Sequence, residues 1–158
     1  MNKKSLLCTR KAEKISGKLL MATPQTKPSG QQMNYIKKAL LIKTNEHIDE
    51  EVTLLIDGST IVCFASDCPY ELKAGKTYSI ELKLNLPDNY SINESSHREI
   101  LIEKIGKGFA YNLYGELHDD EFHTFTALFD EGVHYDHPAL NNKFIRLQVE
   151  RIDASFLY

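Results

Sequence analysis

The chain has 158 residues and a formal net charge of −3, and it is 42% hydrophobic, 26% charged and 9% aromatic. This composition excludes collagen-like, low-complexity and wholly disordered proteins, and the length favours a single domain. No apolar run approaches the roughly 18 residues of a membrane-spanning helix, so we expect the chain not to cross a bilayer.

Charge is distributed unevenly along the chain. Residues 1–32 contain 7 Lys or Arg and 1 acid, which gives +6, whereas residues 33–158 contain 12 Lys or Arg and 21 acids, which gives −9. Pro24, Pro28, Ser29 and Gly30 give the end of the first segment the composition of a linker. We therefore predict that residues 1–32 are a basic, disordered tail, or precede the true start, and that residues 33–158 form an acidic domain.

From Met33 onward hydrophobic residues recur at every second position, which is the period of a strand. Asp57-Gly58 is a strong signal for a type I′ hairpin turn, because both central positions of that turn need positive φ. Pro138 is suited to begin one helical turn in a longer gap between strands. Eight strands are predicted, over Tyr35–Lys43, Glu51–Ile56, Ser59–Ala65, Thr77–Leu86, Glu99–Ile105, Phe109–Leu117, Phe122–Phe129 and Phe144–Ile152.

Short strands separated by turn signals predict an all-β fold, either a small antiparallel barrel or a β-sandwich. The segment Glu71–Tyr78, which enters a long alternating strand, resembles the turn and third strand of many barrels of the OB kind, and Ile145–Val149 resembles a late strand of such barrels. The resemblance implies an OB-like barrel with extra strands. The acidic region as a whole resembles uncharacterised small bacterial proteins, which implies no activity.

The cysteines favour a reducing compartment. Cys8, Cys63 and Cys68 are odd in number and sparse, unlike the dense, even framework of a small secreted scaffold. Cys63 shares strand parity with Ile61 and Ala65, so we interpret it as a small buried hydrophobe. We expect a cytoplasmic protein.

One cluster of histidines and acids lies between residues 118 and 137. A divalent metal needs three or four convergent ligands, and two neighbouring loops are able to supply them, but the spacings match no tight metal motif. The same residue types are ordinary in solvated turns. The candidate metal ligands are His118, His123, His134, Asp136 and His137; otherwise no cofactor is expected.

Motifs for catalysis and phosphate binding are absent from the sequence. There is no nucleophile elbow, Walker loop, dinucleotide fingerprint or His-Glu-x-x-His motif. The sequence therefore favours a non-enzymatic protein over an enzyme. Binding of single-stranded nucleic acid, with Tyr114 stacking a base and the basic tail supplying charge, is an alternative. The −9 charge of residues 33–158 disfavours it, because phosphate binding depends on cations.

An acidic surface favours a basic partner, because a field of one sign accelerates association with the opposite charge. The leading hypothesis is therefore a non-enzymatic module that binds a basic protein, as an inhibitor, an immunity protein or an adaptor does. A metal-dependent enzyme remains the other alternative. The candidate contact residues are Glu46, Asp49, Glu50, Glu51, Asp119, Asp120, Glu121 and Tyr114.

Overall fold

The computed structural model describes residues 35–158, so the predicted tail over residues 1–32 lies outside the described residues. The described part is all-β, as the alternating pattern predicts. Its strands are β1 (Ile36–Thr44), β2 (Glu51–Ile56), β3 (Ser59–Asp67), β4 (Thr77–Asn85), β5 (Ile92–Glu94), β6 (Ile102–Lys104), β7 (Tyr111–His118), β8 (Glu121–His123), β9 (Ala127–Phe129), β10 (Phe144–Val149) and β11 (Arg151–Phe156). A one-turn helix α1 (Val133–Asp136) and a 3₁₀ helix (Pro138–Leu140) complete it.

The chain divides into two compact units. Within the described residues, the first comprises residues 35–82 and 154–158, and the second comprises residues 83–153. Strands β4 and β11 each contribute residues to both units, since one boundary falls after Leu82 and the other before Ala154.

Five strands hydrogen-bond in the order β1-β2-β3-β11-β4, and β4 also pairs with β1, which closes the ring. The β2–β3 hairpin turns at Asp57 and Gly58, whose φ angles of 48° and 84° confirm the predicted type I′ signal. Alternate residues of these strands are fully buried, because strand side chains point to opposite faces. In the first unit they include Leu41, Leu54, Ile56, Ile61 and Ile80.

The remaining six strands form a sheet in the order β5-β10-β7-β8-β9, with β6 also paired to β7. Strand β7 pairs along one edge with β10. Along its other edge it pairs with β6 near its beginning and with β8 at its end. The buried face of this sheet is apolar and includes Leu113, Leu117, Phe122, Ile145 and Leu147, all with 0% exposure.

The structure has eleven strands in residues 35–158 where the sequence predicts eight. The predicted strand Phe122–Phe129 is two strands, β8 and β9, because Thr124–Thr126 form a turn in which the Thr124 N–H donates to the Thr126 carbonyl (3.1 Å). The predicted strand Phe144–Ile152 is also two, β10 and β11, interrupted at exposed Glu150.

Two further differences concern short elements. Strand β5 lies within a gap that the sequence predicts to have no strand, and the predicted strand Glu99–Ile105 is reduced to the three residues of β6. Three-residue strands carry too few positions for a period of two to be detected. The helical turn beginning at Pro138 is confirmed as the 3₁₀ helix.

The cysteines of the described residues are buried, with exposures of 0% for Cys63 and 1% for Cys68, and neither forms a disulfide. The prediction that Cys63 is a small core residue is confirmed. Within residues 35–158 the structure contains no helix whose length and apolar character would let it span a membrane.

Gly115, in the middle of β7, permits a close approach of backbone. A Cβ atom built there would lie 2.2 Å from the His123 carbonyl oxygen and 2.8 Å from the Thr124 Cα. We expect Gly115→Ala to lower the free energy of unfolding by about 3 kcal/mol, because backbone must move to admit the methyl group. Chemical denaturation measures this loss.

Gly108→Ala is the matched control, because nothing lies within 4 Å of its added Cβ and no left-handed φ restricts it. It should unfold within about 0.5 kcal/mol of the unsubstituted protein. Equal losses for the two substitutions would contradict the close approach at Gly115.

Candidate functional site

Strand β7 has one buried face and one open face. Tyr111, Leu113 and Leu117 point into the core of the second unit, with exposures of 3% or less. Asn112 and Tyr114 alternate with them and are only half-buried. Because successive side chains of a strand point to opposite sides, the open face of β7 carries Asn112, Tyr114, Glu116 and His118.

Neighbouring strands extend this open face. Arg146 of β10 lies directly opposite Tyr114, and Asn93 of β5 lies directly opposite Arg146. Residues directly opposite across a sheet share a face, so the three side chains form one row. The exposed side chain of Leu101, at 46%, adjoins this row, because the Leu101 carbonyl accepts the Tyr114 backbone N–H (3.0 Å).

Hydrogen bonds hold the side chains of this row and of the neighbouring residues on the same face. The Glu103 carboxylate accepts from Asn112 Nδ2 (3.1 Å) and from the Tyr114 hydroxyl (3.4 Å). Arg146 Nη2 donates to Ser91 Oγ (3.1 Å). We define the Tyr114 face as Asn93, Leu101, Glu103, Asn112, Tyr114, Glu116, Arg146 and Gln148.

The predicted acidic residues of the second unit lie at the end of this face. Asp119 and Asp120 form the two-residue turn between β7 and β8, and Asp119 takes a positive φ of 54°. Asp119 Oδ1 accepts from Asn141 Nδ2 (3.0 Å), and its backbone N–H donates to Asn141 Oδ1 (2.7 Å). Glu121 Oε1 contacts His123 Nε2 at 2.8 Å. The turn is therefore held in place while Asp119 stays exposed.

The predicted acidic residues of the first unit lie in and after the β1–β2 connection. Glu46 is exposed, while Asp49 and Glu50 are half-buried. Asn45 orders this connection, because its Oδ1 accepts the backbone N–H groups of residues 47 and 48 (2.7 and 3.0 Å). Asn45 Nδ2 donates to the carboxylate of Glu51, the first residue of β2 (2.5 Å).

The candidate metal ligands occupy two separate sets of contacts within the second unit. His118 and His123 lie edge to face with ring centroids 5.9 Å apart, and His118 Nδ1 contacts Asn142 Oδ1 at 2.7 Å. The other set comprises His134, Asp136 and His137 on the loop from residue 130 onward. In residues 35–158 the structure contains no group of three or more His, Cys, Asp or Glu placed to hold a metal ion.

Asp130 orders that second loop. Its side chain is fully buried and accepts from the backbone N–H of Gly132 (3.0 Å), the backbone N–H of His134 (2.8 Å) and His134 Nδ1 (2.7 Å). Tyr90 donates to Asp136 Oδ2 (3.0 Å) and meets the His137 ring edge to face at 5.6 Å. Burial, with the Asp136 carboxylate, raises the pKa of Tyr90 to about 12. These contacts anchor the loop.

Glu131 stands out beside Asp130. Its φ of 59° is left-handed, a conformation that favours glycine. Burial raises the pKa of the Glu131 carboxyl, Lys83 opposes the shift, and the Asp130 and Asp153 carboxylates add to it. The position is unfavourable both for the backbone and for a negative charge.

The sequence predicts Tyr114 and the acidic turn, but not the residues that surround Tyr114. Leu101 falls inside the predicted strand Glu99–Ile105, where nothing indicates that its side chain is exposed. Asn93 and Ser91 belong to a gap with no predicted strand. The pairing of β5 with β10 brings these two residues beside Arg146, and no local pattern encodes that pairing.

The fold and the open face together define an all-β protein of two units that presents an ordered polar surface on one sheet. Residues 33–157 match the family model described as uncharacterised conserved protein UCP019853, and the chain belongs to this family. No curated protein and no solved structure matches the chain. The resemblance to uncharacterised proteins is confirmed, and no characterised family matches.

Asp130→Asn should lower the free energy of unfolding by about 2–3 kcal/mol, because an amide nitrogen would replace an oxygen that faces N–H donors in a buried site. Denaturant unfolding monitored by circular dichroism measures the loss. Asp136→Asn is the control, since Asp136 is exposed and accepts one side-chain hydrogen bond. If Asp136→Asn lowered the free energy of unfolding as much as Asp130→Asn does, burial of the Asp130 carboxylate would not explain the loss.

Glu131→Gln should stabilise the protein at pH 7. The folded state holds the Glu131 proton more tightly than the unfolded chain does, so stability is lost as the pH rises above the ordinary pKa of 4.5 towards the raised value. Glutamine carries no such penalty. The increase in melting temperature should be present at neutral pH and should vanish as the pH falls below that ordinary value.

Thermal unfolding across this pH range tests the expectation. Glu150→Gln, an exposed acid of the same unit, should show no comparable gain at neutral pH. A gain for Glu131→Gln that persists unchanged in acid would rule out the titration of Glu131 as its cause.

Proposed function

We propose that this protein is a non-enzymatic binding module that recognises a basic protein partner through the Tyr114 face. The observation that carries the proposal is the row in which Tyr114 and Arg146 are cross-strand neighbours and Leu101 is 46% exposed beside them. Tyrosine and arginine are enriched among the residues that dominate binding energy at protein interfaces. Polar groups surround the row, as at the rim of an interface.

Charge supports a basic partner. The second unit, residues 83–153, contains 13 acids against 7 Lys or Arg, so its formal charge is −6. Asp119 and Asp120 add an exposed and a half-buried carboxylate where β7 turns into β8. Such a field accelerates encounter with a cationic protein and disfavours acidic partners and nucleic acid.

We further propose that the ring of five strands is an OB-like barrel. The order β4-β1-β2-β3 is the 4-1-2-3 order of a Greek key, and β11 completes a five-stranded ring. The OB fold is a five-stranded Greek-key barrel that binds ligands through the connections between strands 1 and 2 and between strands 4 and 5.

This fold assignment supports the same function. The first connection, between β1 and β2, contains Glu46, Asp49 and Glu50, and Glu51 follows it. The connection between β4 and β11, the fourth and fifth strands of the ring, contains Tyr114 and Asp119–Glu121. The predicted contact residues of the first unit thus lie in, or directly after, a connection that OB folds use for binding. We propose that binding takes place in the cytoplasm, where the buried thiols of Cys63 and Cys68 stay reduced.

Site-specific photocrosslinking tests the proposal. A photoreactive phenylalanine analogue at position 114 should crosslink one basic protein in cells of the native host. The same analogue at position 135 should not, although Tyr135 is an aromatic residue of the same unit and is 79% exposed. Crosslinking of nucleic acid from position 114, or equal capture from both positions, would contradict the proposal.

Binding of the purified crosslinked protein then tests the role of charge. Asp120→Asn with Glu121→Gln should weaken binding at low salt about tenfold, mainly through slower association, and high salt should shrink the difference. Asp88→Asn with Glu150→Gln removes the same charge at exposed positions of the same unit and should have less effect. Equal effects of the two pairs would mean that the β7–β8 turn makes no specific contact.

A further inference from the structure

The first unit contains a cleft of about 430 Å³, which is within the range of small-molecule sites. Lysines from two elements line it: Lys38 of β1, and Lys73 and Lys76 of the turn before β4. Tyr70, Tyr78 and Tyr158 provide its aromatic surface. The cleft lies outside the Tyr114 face, so an inference from it is independent of the proposed function.

Positive charge is concentrated in the cleft. Residues 35–82 and 154–158 contain five lysines and eight acids, which gives the first unit a formal charge of −3. Three of those lysines line the cleft, and Glu71 is the one acidic side chain among the lining residues, so the lining side chains sum to a formal charge of +2. Among the described residues no ion pair engages the ammonium group of Lys73 or Lys76. The cleft is thus a cationic site on an acidic unit.

The lysines are carried by an ordered backbone. The Lys73 N–H donates to the Tyr78 hydroxyl oxygen (2.8 Å), and the Lys76 N–H donates to the Lys73 carbonyl (3.3 Å). The Gly75 N–H donates to the Leu41 carbonyl (2.8 Å), and the Leu41 N–H donates to the Lys76 carbonyl (2.9 Å), so two backbone hydrogen bonds attach the turn to Leu41 of β1. A preorganised turn reduces the entropic cost of binding an anion.

The cleft also offers surfaces for a planar ring. Tyr70 and Tyr78 stack with centroids 5.6 Å apart and an interplanar angle of 16°. Tyr70 donates to the Leu157 carbonyl (2.5 Å), and burial raises the pKa of the Tyr70 phenol to about 12. Tyr158 also lines the cleft and is 88% exposed. Aromatic rings of this kind stack on nucleobases.

We propose that this cleft binds a free mononucleotide. Lys73 and Lys76 contact the phosphate, because an ammonium group is a suitable point charge for phosphate oxygens. Tyr158 stacks on the base. Lys38, whose Nζ donates to Ser79 Oγ (2.8 Å), adds a third positive charge at the β1 side. A single phosphate suits the cleft better than a polyanion does, since the unit around it is negative.

Titration of the full chain with AMP, followed by amide chemical shifts, tests the proposal. Saturable shifts should be confined to Lys73–Ser79 and the residues around Tyr158. Lys73→Gln with Lys76→Gln should weaken AMP binding at least tenfold. The matched pair Lys37→Gln with Lys43→Gln removes the same charge from β1 outside the cleft and should change binding less than twofold, provided that circular dichroism shows both variants folded.

Further measurements distinguish the contribution of the phosphate to AMP binding from that of the base. Tyr158→Ala should weaken AMP binding several-fold and leave the weaker binding of inorganic phosphate unchanged. Absence of saturable binding at millimolar AMP, equal losses in the two lysine pairs, or tighter binding of oligo(dT) than of AMP at physiological salt would each overturn the proposal. None of these results bears on crosslinking at position 114, so the two proposals fail independently.

Discussion

The alternation of β7 is the constraint on which the second unit depends. Its odd-numbered residues, including Leu113 and Leu117, are buried against neighbouring strands, and its even-numbered residues, including Tyr114 and Glu116, form the open face. A shift in register by one residue would exchange the two sets and place the Glu116 carboxylate in an apolar core. Pairing with β10 on one edge, and with β6 and β8 on the other, prevents that shift. Gly115 lets β7 approach the backbone at residues 123 and 124 closely.

The two units distribute charge differently. In the second unit Glu103 and the acidic β7–β8 turn lie on and beside the sheet face that carries Tyr114 and Arg146, and for this face we propose a cationic partner. The first unit is also acidic, but it gathers three of its five lysines around one cleft, which suits a small anion. The net charge of the first unit does not reveal this group of lysines, because electrostatic recognition depends on the local arrangement of charges. The buried Asp130 has a structural role instead, since its carboxylate is saturated by donors of its own loop.

Much of the fold was predictable from local patterns, and the failures share a cause. Long alternating strands such as β2, β4 and β7, and the Asp57-Gly58 hairpin, follow from side-chain period and turn chemistry. The alternating segment from Phe144 to Ile152 conceals a break at Glu150, because β10 and β11 belong to different sheets but both alternate in burial on either side of it. Of the candidate contact residues, Tyr114 follows from parity, whereas its neighbours Asn93 and Leu101 come from pairings distant in sequence.

The sequence by itself determined the all-β class, the buried and open sides of each long strand, and the acidic character of the domain, because these depend on the spacing and chemistry of adjacent residues. Only the tertiary structure decided which strands are neighbours, that the histidines and acids of residues 118–137 form separate sets of contacts, and that three lysines line one cleft with tyrosines. Strand order is set by long-range pairing and by packing of the core. A local pattern shows which face of a strand is open, but not what lies beside it.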